Sequence, residues 1–222
     1  MKRETARSLK PRKKPVQRRS AVTVDVIFEA TIQILLAHGF DQSTTTRIAE
    51  RAGVSVGSLY QYFPNKRALL AAVVRRHITE VVSAGVVACE KAHGASLRDM
   101  CSAAVNAFVD AKTRRPEVSR ALYLPAAAVG ADLIVREESA RSVRAVHAML
   151  LTAADAKFSH PEIVSQVLVT SVIGPMQAAL QAGAGAPAFA LLKQHLTALC
   201  VGYAREMSTP IGQLDRADSG PG

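Results

Sequence analysis

Two adjacent series of mostly apolar residues run through residues 66–90, and each series repeats every four positions. They are Leu69, Val73, His77 and Val81, and Leu70, Val74, Ile78 and Val82. Side chains four residues apart lie on one face of an α-helix, so the doubled pattern predicts a long helix, from about Lys66 to Glu90, with a wide buried face. Such a helix needs other helices around it, and this requirement constrains the whole fold.

Helical periodicity, interrupted by glycine and proline, fills most of the remaining chain. We expect helices at about 24–39, 45–52, 55–61, 96–113, 116–124, 132–158, 161–181 and 187–207. Blocks with the period-two alternation of strands are hard to find, and aromatic residues make up only 5% of the chain. The prediction is an all-α fold. Pro175, which follows Gly174, should kink or interrupt the 161–181 helix.

Short polar residues and glycines mark the ends of the first predicted helices. Gly39 is a candidate C-cap for the first helix, and Thr44 is a candidate N-cap for the second. Gly53 supplies a tight corner, Ser55 can cap the third helix, and Asn65 can cap the fourth. These signals predict a head of three helices before the long helix begins.

Positive charge is concentrated at the N-terminus. Residues 1–20 contain nine Lys or Arg against one acid, Glu4, so they carry +8 of the net charge of +10. A segment of this composition cannot bury enough apolar surface to fold alone, and we expect it and residues 208–222 to be disordered. Two interpretations of the arm stay open. It is either a solubilising or cloning-derived tail, or an arm attracted to the phosphates of a nucleic acid.

Several classes of protein are disfavoured by what the sequence lacks. The three cysteines, Cys89, Cys101 and Cys200, are too scattered for a disulfide framework or a zinc site. No uninterrupted apolar run reaches the roughly 18 residues that a membrane span needs. The six histidines have no partners at the spacing of a metal site or a catalytic triad. We therefore expect a cytoplasmic, non-enzymatic protein without metal or cofactor and without membrane contact.

Residues 46–66, TRIAERAGVSVGSLYQYFPNK, have the features of a helix-turn-helix unit. Such a unit needs a compact corner, which AGVS provides, and an apolar underside. We assign the underside to Ile48, Ala49, Ala52, Val54, Leu59 and Phe63, packed against Phe28 and Phe40. The second helix of such a unit fits the major groove of DNA, and small residues at its start permit close approach. The alternative is a packed helical corner with no role on DNA.

Residues 43–70, STTTRIAERAGVSVGSLYQYFPNKRALL, resemble the DNA-binding segment of the tetracycline-repressor (TetR) family. They follow the pattern I-A-x-x-A-G-V-S-x-G-[ST]-L-Y-x-[YH]-F-x-[NS]-K-x-x-L-[LF] almost throughout. The resemblance implies phosphate contacts by Thr45, Tyr60, Tyr62 and Lys66. It implies contacts with base edges or the groove by Thr46, Ser55, Val56, Gly57, Ser58 and Gln61.

One residue departs from the family pattern. Arg47 stands before Ile48, where relatives often carry an acid, so no capping box forms with Thr44. Its charge lies unfavourably near the positive end of a helix. We expect a nearby DNA phosphate to compensate, and the alternative is a solvated arginine.

The resemblance also implies a domain organisation. It consists of a basic arm (1–20), a helix-turn-helix DNA-binding head (21–66), a helical effector-binding and dimerisation domain (67–207) and a tail (208–222). Independent support comes from two seams in the last two long helices, one mainly of leucines and one of small and branched residues, which suit a homodimer interface. They are Leu192, Leu196, Leu199 and Tyr203, and Ile163, Val167, Ser171, Gly174, Ala178 and Ala179. The other interpretation of both seams is intramolecular core.

The predicted function is a sequence-specific transcriptional regulator of double-stranded DNA. The resemblance favours a repressor that a small, apolar ligand releases from a palindromic operator. Candidate residues for the effector site are Met100, Phe108, Tyr123, His147, Met149, Met176 and Gln177. The rival is a sequence-blind architectural DNA-binding protein that depends on the basic arm.

Overall fold

The computed structural model describes residues 18–210, and within them it is almost entirely helical. The helices are α1 (Arg18–Gln42), α2 (Thr45–Ala52), α3 (Val56–Tyr62), α4 (Lys66–Lys91), α5 (Leu97–Thr113), α6 (Pro116–Ala121), α7 (Tyr123–Val129), α8 (Asp132–Leu150), α9 (Pro161–Ser171), α10 (Ile173–Gln181) and α11 (Ala186–Glu206). Two short strands, β1 (Ala156–Phe158) and β2 (Ser208–Pro210), complete the described chain. The all-α fold class is confirmed. Most of the predicted arm, residues 1–17, and residues 211–222 of the predicted tail lie outside the described residues.

The predicted caps of the first helices are present. The side chain of Thr44 accepts a hydrogen bond from the Arg47 amide, and that of Ser55 accepts one from the Ser58 amide. Asn65 Oδ1 accepts from the Ala68 amide at 2.8 Å. Gly53, with φ of 65°, ends α2 in the left-handed region that glycine adopts without strain.

The first helix continues past its predicted end at Gly39. Gly39 instead forms a kink inside α1, with φ of 73° and ψ of 179°, and the chain re-enters helical geometry up to Gln42. This backbone region is almost restricted to glycine, because a Cβ atom would be strained there. The glycine signal was therefore correctly located, but the structure uses it to redirect the helix.

Two predicted helices are each divided in two, and proline explains both divisions. The helix predicted at 116–124 is interrupted at Leu122, between α6 and α7, and Pro125 lies four residues after the last residue of α6. The helix predicted at 161–181 is interrupted at Val172, between α9 and α10, and Pro175 lies four residues after Ser171. A proline has no amide hydrogen to donate to the carbonyl four residues earlier. The interruption expected near Gly174–Pro175 is thus confirmed, and the one before Pro125 was missed.

The helix predicted at 132–158 is wrong beyond Leu150. After Leu150 the backbone leaves the helix, and side chains of this segment accept hydrogen bonds from the loop between α4 and α5 and from the start of α5. The Gly94 amide donates to Thr152 Oγ1 at 3.0 Å, and the Leu97 amide donates to Asp155 Oδ1 at 2.8 Å. Residues 156–158 then pair antiparallel with residues 208–210, with Ala156 opposite Pro210. The start of the predicted disordered tail is therefore a strand.

The described chain divides into two compact units. The first contains the residues up to Ile78 together with Glu117–Val135, and the second contains Thr79–Pro116 together with the residues from Arg136 onwards. The chain passes from one unit to the other within α4, at the start of α6 and within α8.

The first unit has one apolar core that joins α1–α4 to α6, α7 and the start of α8. Buried members from the first four helices include Ile27, Ile48, Leu59, Phe63 and Leu69, and members from the later helices are Val118, Leu122, Val129, Ala131 and Ile134. Arg67 Nη2 donates to the carbonyl of Val129 at 3.2 Å, adding a polar link. This unit contains the predicted DNA-binding head and extends well beyond residue 66.

The second unit packs α5 against α11 and buries three thiols. Cys89, Cys101 and Cys200 are free and buried. Burial raises the pKa of the Cys89 and Cys200 thiols to about 11 and that of Cys101 to about 12. No group of three His, Cys, Asp or Glu suited to a metal ion occurs among residues 18–210.

Two segments are long and apolar enough to cross a membrane, judged by length and composition alone: Ser20–Gln42 and Pro161–Gln181. Core helices of soluble proteins have the same properties. The first segment contains the kink at Gly39, and the second is interrupted at Val172.

Candidate nucleic-acid interface

The α2–α3 unit rests on a tightly packed apolar underside. Ile48, Ala49, Leu59 and Phe63 are at most 2% exposed, and the ring centroids of Phe63 and Phe28 lie 5.7 Å apart. The other predicted members follow the same pattern, with Ala52 buried and Val54 and Phe40 half-buried against this core. The predicted underside is confirmed. This packing determines which face of α3 points outward, and that face is available to a partner.

The turn between α2 and α3 is closed by backbone hydrogen bonds. The Gly53 amide donates to the Glu50 carbonyl at 3.1 Å, and the Val54 amide donates to the Ala49 carbonyl at 3.0 Å. These bonds satisfy carbonyls at the end of α2 and set the angle at which α3 leaves the turn. The AGVS corner predicted from the sequence is therefore a compact helix-turn-helix corner.

The start of α3 combines a serine cap with an open surface. Ser55 Oγ accepts from the Ser58 amide at 3.0 Å and lies 2.8 Å from Ser58 Oγ. At Gly57 an added Cβ would meet only Ser55 Oγ, at an ordinary contact distance of 3.8 Å. Packing inside the chain therefore does not require glycine at this exposed position, and a small residue there leaves room for close approach from outside.

The two tyrosines of α3 have different surroundings. Tyr60 is 40% exposed, and its hydroxyl lies 3.2 Å from Thr45 Oγ1 at the start of α2. Tyr62 is half-buried, packs against the core and lies beside the Phe63 ring, with centroids 6.4 Å apart. The structure thus brings Thr45 and Tyr60 together at one point on the surface.

Both cationic side chains assigned to DNA have intramolecular acceptors. Lys66 Nζ donates to the Phe40 carbonyl at 2.9 Å and lies 4.7 Å from the centroid of the Phe40 ring. Arg47 Nη1 donates to the Gln42 carbonyl at 3.0 Å and to Gln42 Oε1 at 3.3 Å. Arg47 is exposed, yet its guanidinium is held by Gln42 and not by solvent alone. No sequence pattern indicated Gln42, and Phe40 was predicted only as part of the underside.

The electrostatics of this surface favour an anion. The first turns of α2, α3 and α4 contain no acidic residue. The positive ends of these helices are therefore not neutralised locally. Thr46 and Gln61, the remaining predicted contact residues, are exposed, whereas Val56 is half-buried against the core.

The predicted effector residues fall in both compact units. Met100, Met149 and Met176 are at most 1% exposed, and Phe108, His147 and Gln177 are half-buried, all in the second unit. Tyr123 belongs to the first unit, where burial raises the pKa of its hydroxyl. The structure does not gather these seven residues in one unit.

Comparison with known families identifies both parts of the chain. The family model for bacterial regulatory proteins of the tetR family matches residues 27–73, and that for the tetracyclin repressor-like C-terminal domain matches residues 96–203. Together the two models cover more than half of the chain.

Curated relatives are similar mainly in the N-terminal segment. The HTH-type transcriptional repressor KstR of Rhodococcus jostii (strain RHA1) is 37% identical over 59 residues, which is 27% of this chain and 28% of KstR. The fatty acid metabolism regulator protein of Bacillus subtilis (strain 168) is 30% identical over 56 residues, 25% of this chain and 29% of that protein. The match thus spans less than a third of the length of either relative.

Solved structures are similar over most of the chain, and at 18% identity they establish the fold alone. A TetR-family regulator from Mesorhizobium loti superposes with a TM-score of 0.68 over 87% of this chain and 100% of its own. The fatty acid degradation regulator FadR from Bacillus halodurans gives 0.64 over 81% and 95%, at 18% identity. Since both domain models match in order along the sequence, this protein belongs to the TetR family of bacterial regulatory proteins.

Proposed function

We propose that this protein is a sequence-specific DNA-binding repressor, released from a palindromic operator by a small, apolar ligand. The observation that carries the proposal is the α2–α3 unit, in which a fully packed underside presents a face of small polar residues. The first turns of α2, α3 and α4 contain no acidic residue that would repel a phosphate. A helix presented in this way fits the major groove, with polar groups beside it for the phosphates.

The contact residues divide into two sets. Thr45, Arg47, Tyr60, Tyr62 and Lys66 bind phosphates, and Thr46, Ser55, Val56, Gly57, Ser58 and Gln61 face the groove. Gln61 is exposed, and its side-chain amide can pair with a base edge through two hydrogen bonds. Ser55 has the smaller part in recognition, because its hydroxyl already caps α3.

Palindromic recognition requires a dimer, and exposed apolar residues on α9 and α11 support one. Regulators of this family are typically dimeric and have small-molecule effectors. In this chain Ile163 is 56% exposed and Leu199 is 50% exposed, whereas Leu196 of the predicted seam is 2% exposed and packs within the protomer. We assign the interface to the faces of α9–α10 and α11 that carry Ile163, Val167 and Leu199. Pairing would present two α3 helices to half-sites about 34–36 Å apart.

The ligand would act on the equilibrium between two arrangements of the dimer. The second unit supplies buried methionines at positions 100, 149 and 176, which suit an apolar effector. Two of the similar proteins carry fatty acid metabolism or degradation in their names, in keeping with an apolar effector. A ligand releases DNA only to the extent that it binds the released arrangement more tightly.

Binding selection from sheared genomic DNA, with purified protein at near-physiological salt, tests the proposal. Enrichment of a site with two-fold symmetry is expected. Uniform recovery of all fragments would instead support a sequence-blind protein and overturn the proposed function. A thermal-shift panel of fatty acids, sugars and phosphates then tests the ligand class, and stabilisation by sugars or phosphates only would overturn the apolar effector. We expect the protein to act in the cytoplasm, without a cofactor and without enzymatic activity.

A further inference from the structure

The last turn of α1 supplies hydrogen-bond acceptors to both cationic side chains at the proposed DNA surface. We call Gly39–Gln42 the acceptor turn. Its Phe40 carbonyl accepts from Lys66 Nζ at 2.9 Å, and its Gln42 carbonyl accepts from Arg47 Nη1 at 3.0 Å. The two cations come from different helices, α4 and α2, and the first contact joins residues 26 apart in sequence.

The carbonyl oxygens of the acceptor turn can accept hydrogen bonds from side chains because this turn ends a helix. The last four carbonyls of an α-helix have no partner within the helix, and the helix end carries partial negative charge. Ser43 already donates to two of these carbonyls: its Oγ donates to the Gly39 carbonyl at 2.6 Å, and its amide donates to the Phe40 carbonyl at 3.3 Å. The kink at Gly39, with φ of 73°, interrupts the helical geometry of α1 at the start of this turn.

Neither cation exhausts its donors on the acceptor turn. An ammonium group has three hydrogens and a guanidinium has five, so both groups can bind a phosphate while keeping their present acceptors. The Phe40 ring, 4.7 Å from Lys66 Nζ, adds an attractive surface for the ammonium. Gln42 Oε1, 3.3 Å from Arg47 Nη1, adds a second acceptor for the guanidinium.

We propose that Phe40 and Gln42 are positioning residues that hold Lys66 and Arg47 ready for phosphate, so that they set operator affinity without contacting DNA. This inference rests on the proposed function. Long cationic side chains lose rotamer freedom when they bind, and holding them beforehand removes that cost from the binding step. The acceptor turn therefore affects how tightly the protein binds, while the two cations determine how strongly binding depends on salt.

The first part of the test removes each charge. Operator affinity of the full chain is measured as a function of salt for Lys66→Met and Arg47→Met, and the slope of log affinity against log salt should decrease by about 0.9 for each lost phosphate contact. Arg51→Met is the matched control. It lies on the same helix as Arg47, and its Nε donates to another glutamine of α1, Gln33 Oε1, at 2.6 Å. Its slope should equal that of the wild type.

The second part removes the side-chain share of the positioning, which is the Phe40 ring and Gln42 Oε1, and keeps the charges and the two backbone carbonyls. Gln42→Met and Phe40→Leu should each weaken operator binding up to about fivefold at every salt concentration, about the worth of one hydrogen bond or one cation–π contact, with the slope unchanged. Gln42 is exposed, so its variant retains the fold, and a melting curve checks the half-buried Phe40 variant. A purely structural role of these residues would change the melting temperature without this constant offset in affinity.

Besides the absence of that offset, three results would overturn the inference. In the first, Lys66→Met and Arg47→Met leave the slope unchanged, so the cations serve only the fold. In the second, Arg51→Met lowers the slope as much, so that only net charge matters. In the third, Gln42→Met binds DNA more tightly, so that Gln42 withholds Arg47. Wild-type protein without any operator preference would overturn the proposed function itself, and that result is distinct from all three.

Discussion

The hydroxyl oxygen of Ser119 on α6 lies 3.1 Å from Nε2 of His77 on α4, which joins segments 42 residues apart in sequence. Ser119 is 2% exposed, so the contact is inside the first compact unit. Together with the shared core, it makes α6 part of the unit that carries the proposed DNA surface. The Ser119–His77 contact therefore ties α6 to α4 within this unit.

Ser119→Ala should loosen α6 from α4. Loss of a buried hydrogen bond costs about 1 kcal/mol, so amide exchange in α6 should become about fivefold faster. Hydrogen exchange followed by mass spectrometry gives the rate for each segment. Ser102→Ala is the control, because the Ser102 hydroxyl donates only to the Arg98 carbonyl of its own helix. Equal exchange in wild type and Ser119→Ala would show that the contact does not couple the two helices.

Tyr60→Phe should weaken operator binding without lowering stability. The substitution removes the hydroxyl that lies beside Thr45 Oγ1 and is assigned to a phosphate. We expect about fivefold lower affinity, and a change in unfolding free energy within about 0.5 kcal/mol because the residue is a surface residue. Ser102→Ala, which also removes one hydroxyl but on α5, should leave affinity unchanged. A similar loss in both variants would contradict a local role for Tyr60.

Leu199→Glu should separate the proposed dimer into folded monomers. Leu199 is 50% exposed in the protomer, so a charge there is tolerated by the monomer but not in an apolar interface. Sedimentation velocity should show the loss of the dimer, and operator binding should fall with it. Leu151→Glu, at a residue with 56% exposure, is the matched control and should remain dimeric. A dimeric Leu199→Glu variant would place the interface elsewhere.

Alkaline pH should destabilise the second unit through its buried thiols. The pKa of Cys101 is raised from 9.0 to about 12 by burial, so above pH 9 the unfolded chain releases a proton that the folded chain keeps. The free energy of unfolding then decreases with pH, by up to about 1.4 kcal/mol per pH unit for each thiol. Cys101→Ala should flatten this dependence in urea titrations between pH 9 and 10.5, and an unchanged slope would contradict it.

Lys112 should change the pH dependence of stability in the direction opposite to that of the buried thiols. Burial lowers its pKa from 10.5 to about 8, so between these values the folded chain binds fewer protons than the unfolded chain, and stability rises with pH. Lys112→Met should therefore steepen the alkaline loss of stability in the same titrations. A flatter curve in this variant would show that Lys112 keeps an ordinary pKa in the folded chain.

Features that depend on near neighbours could be predicted from the amino-acid sequence. Local signals predicted the limits of α2, the Gly53 corner and the caps at Thr44, Ser55 and Asn65. They could do so because a cap bonds amides only two or three residues away. The apolar underside of α2 and α3 was predicted because helical periodicity marks the buried face. The family pattern then identified the unit itself.

Features that join distant segments could not be predicted and are visible only in the folded chain. Nothing near Lys66 in the sequence indicates that Phe40 accepts its hydrogen bond, and nothing near Ala156 indicates pairing with Pro210. The inclusion of Val118 and Val129 in the core of the first unit is of the same kind. Periodicity shows that a face is buried, whereas the partner of that face depends on how the whole chain packs.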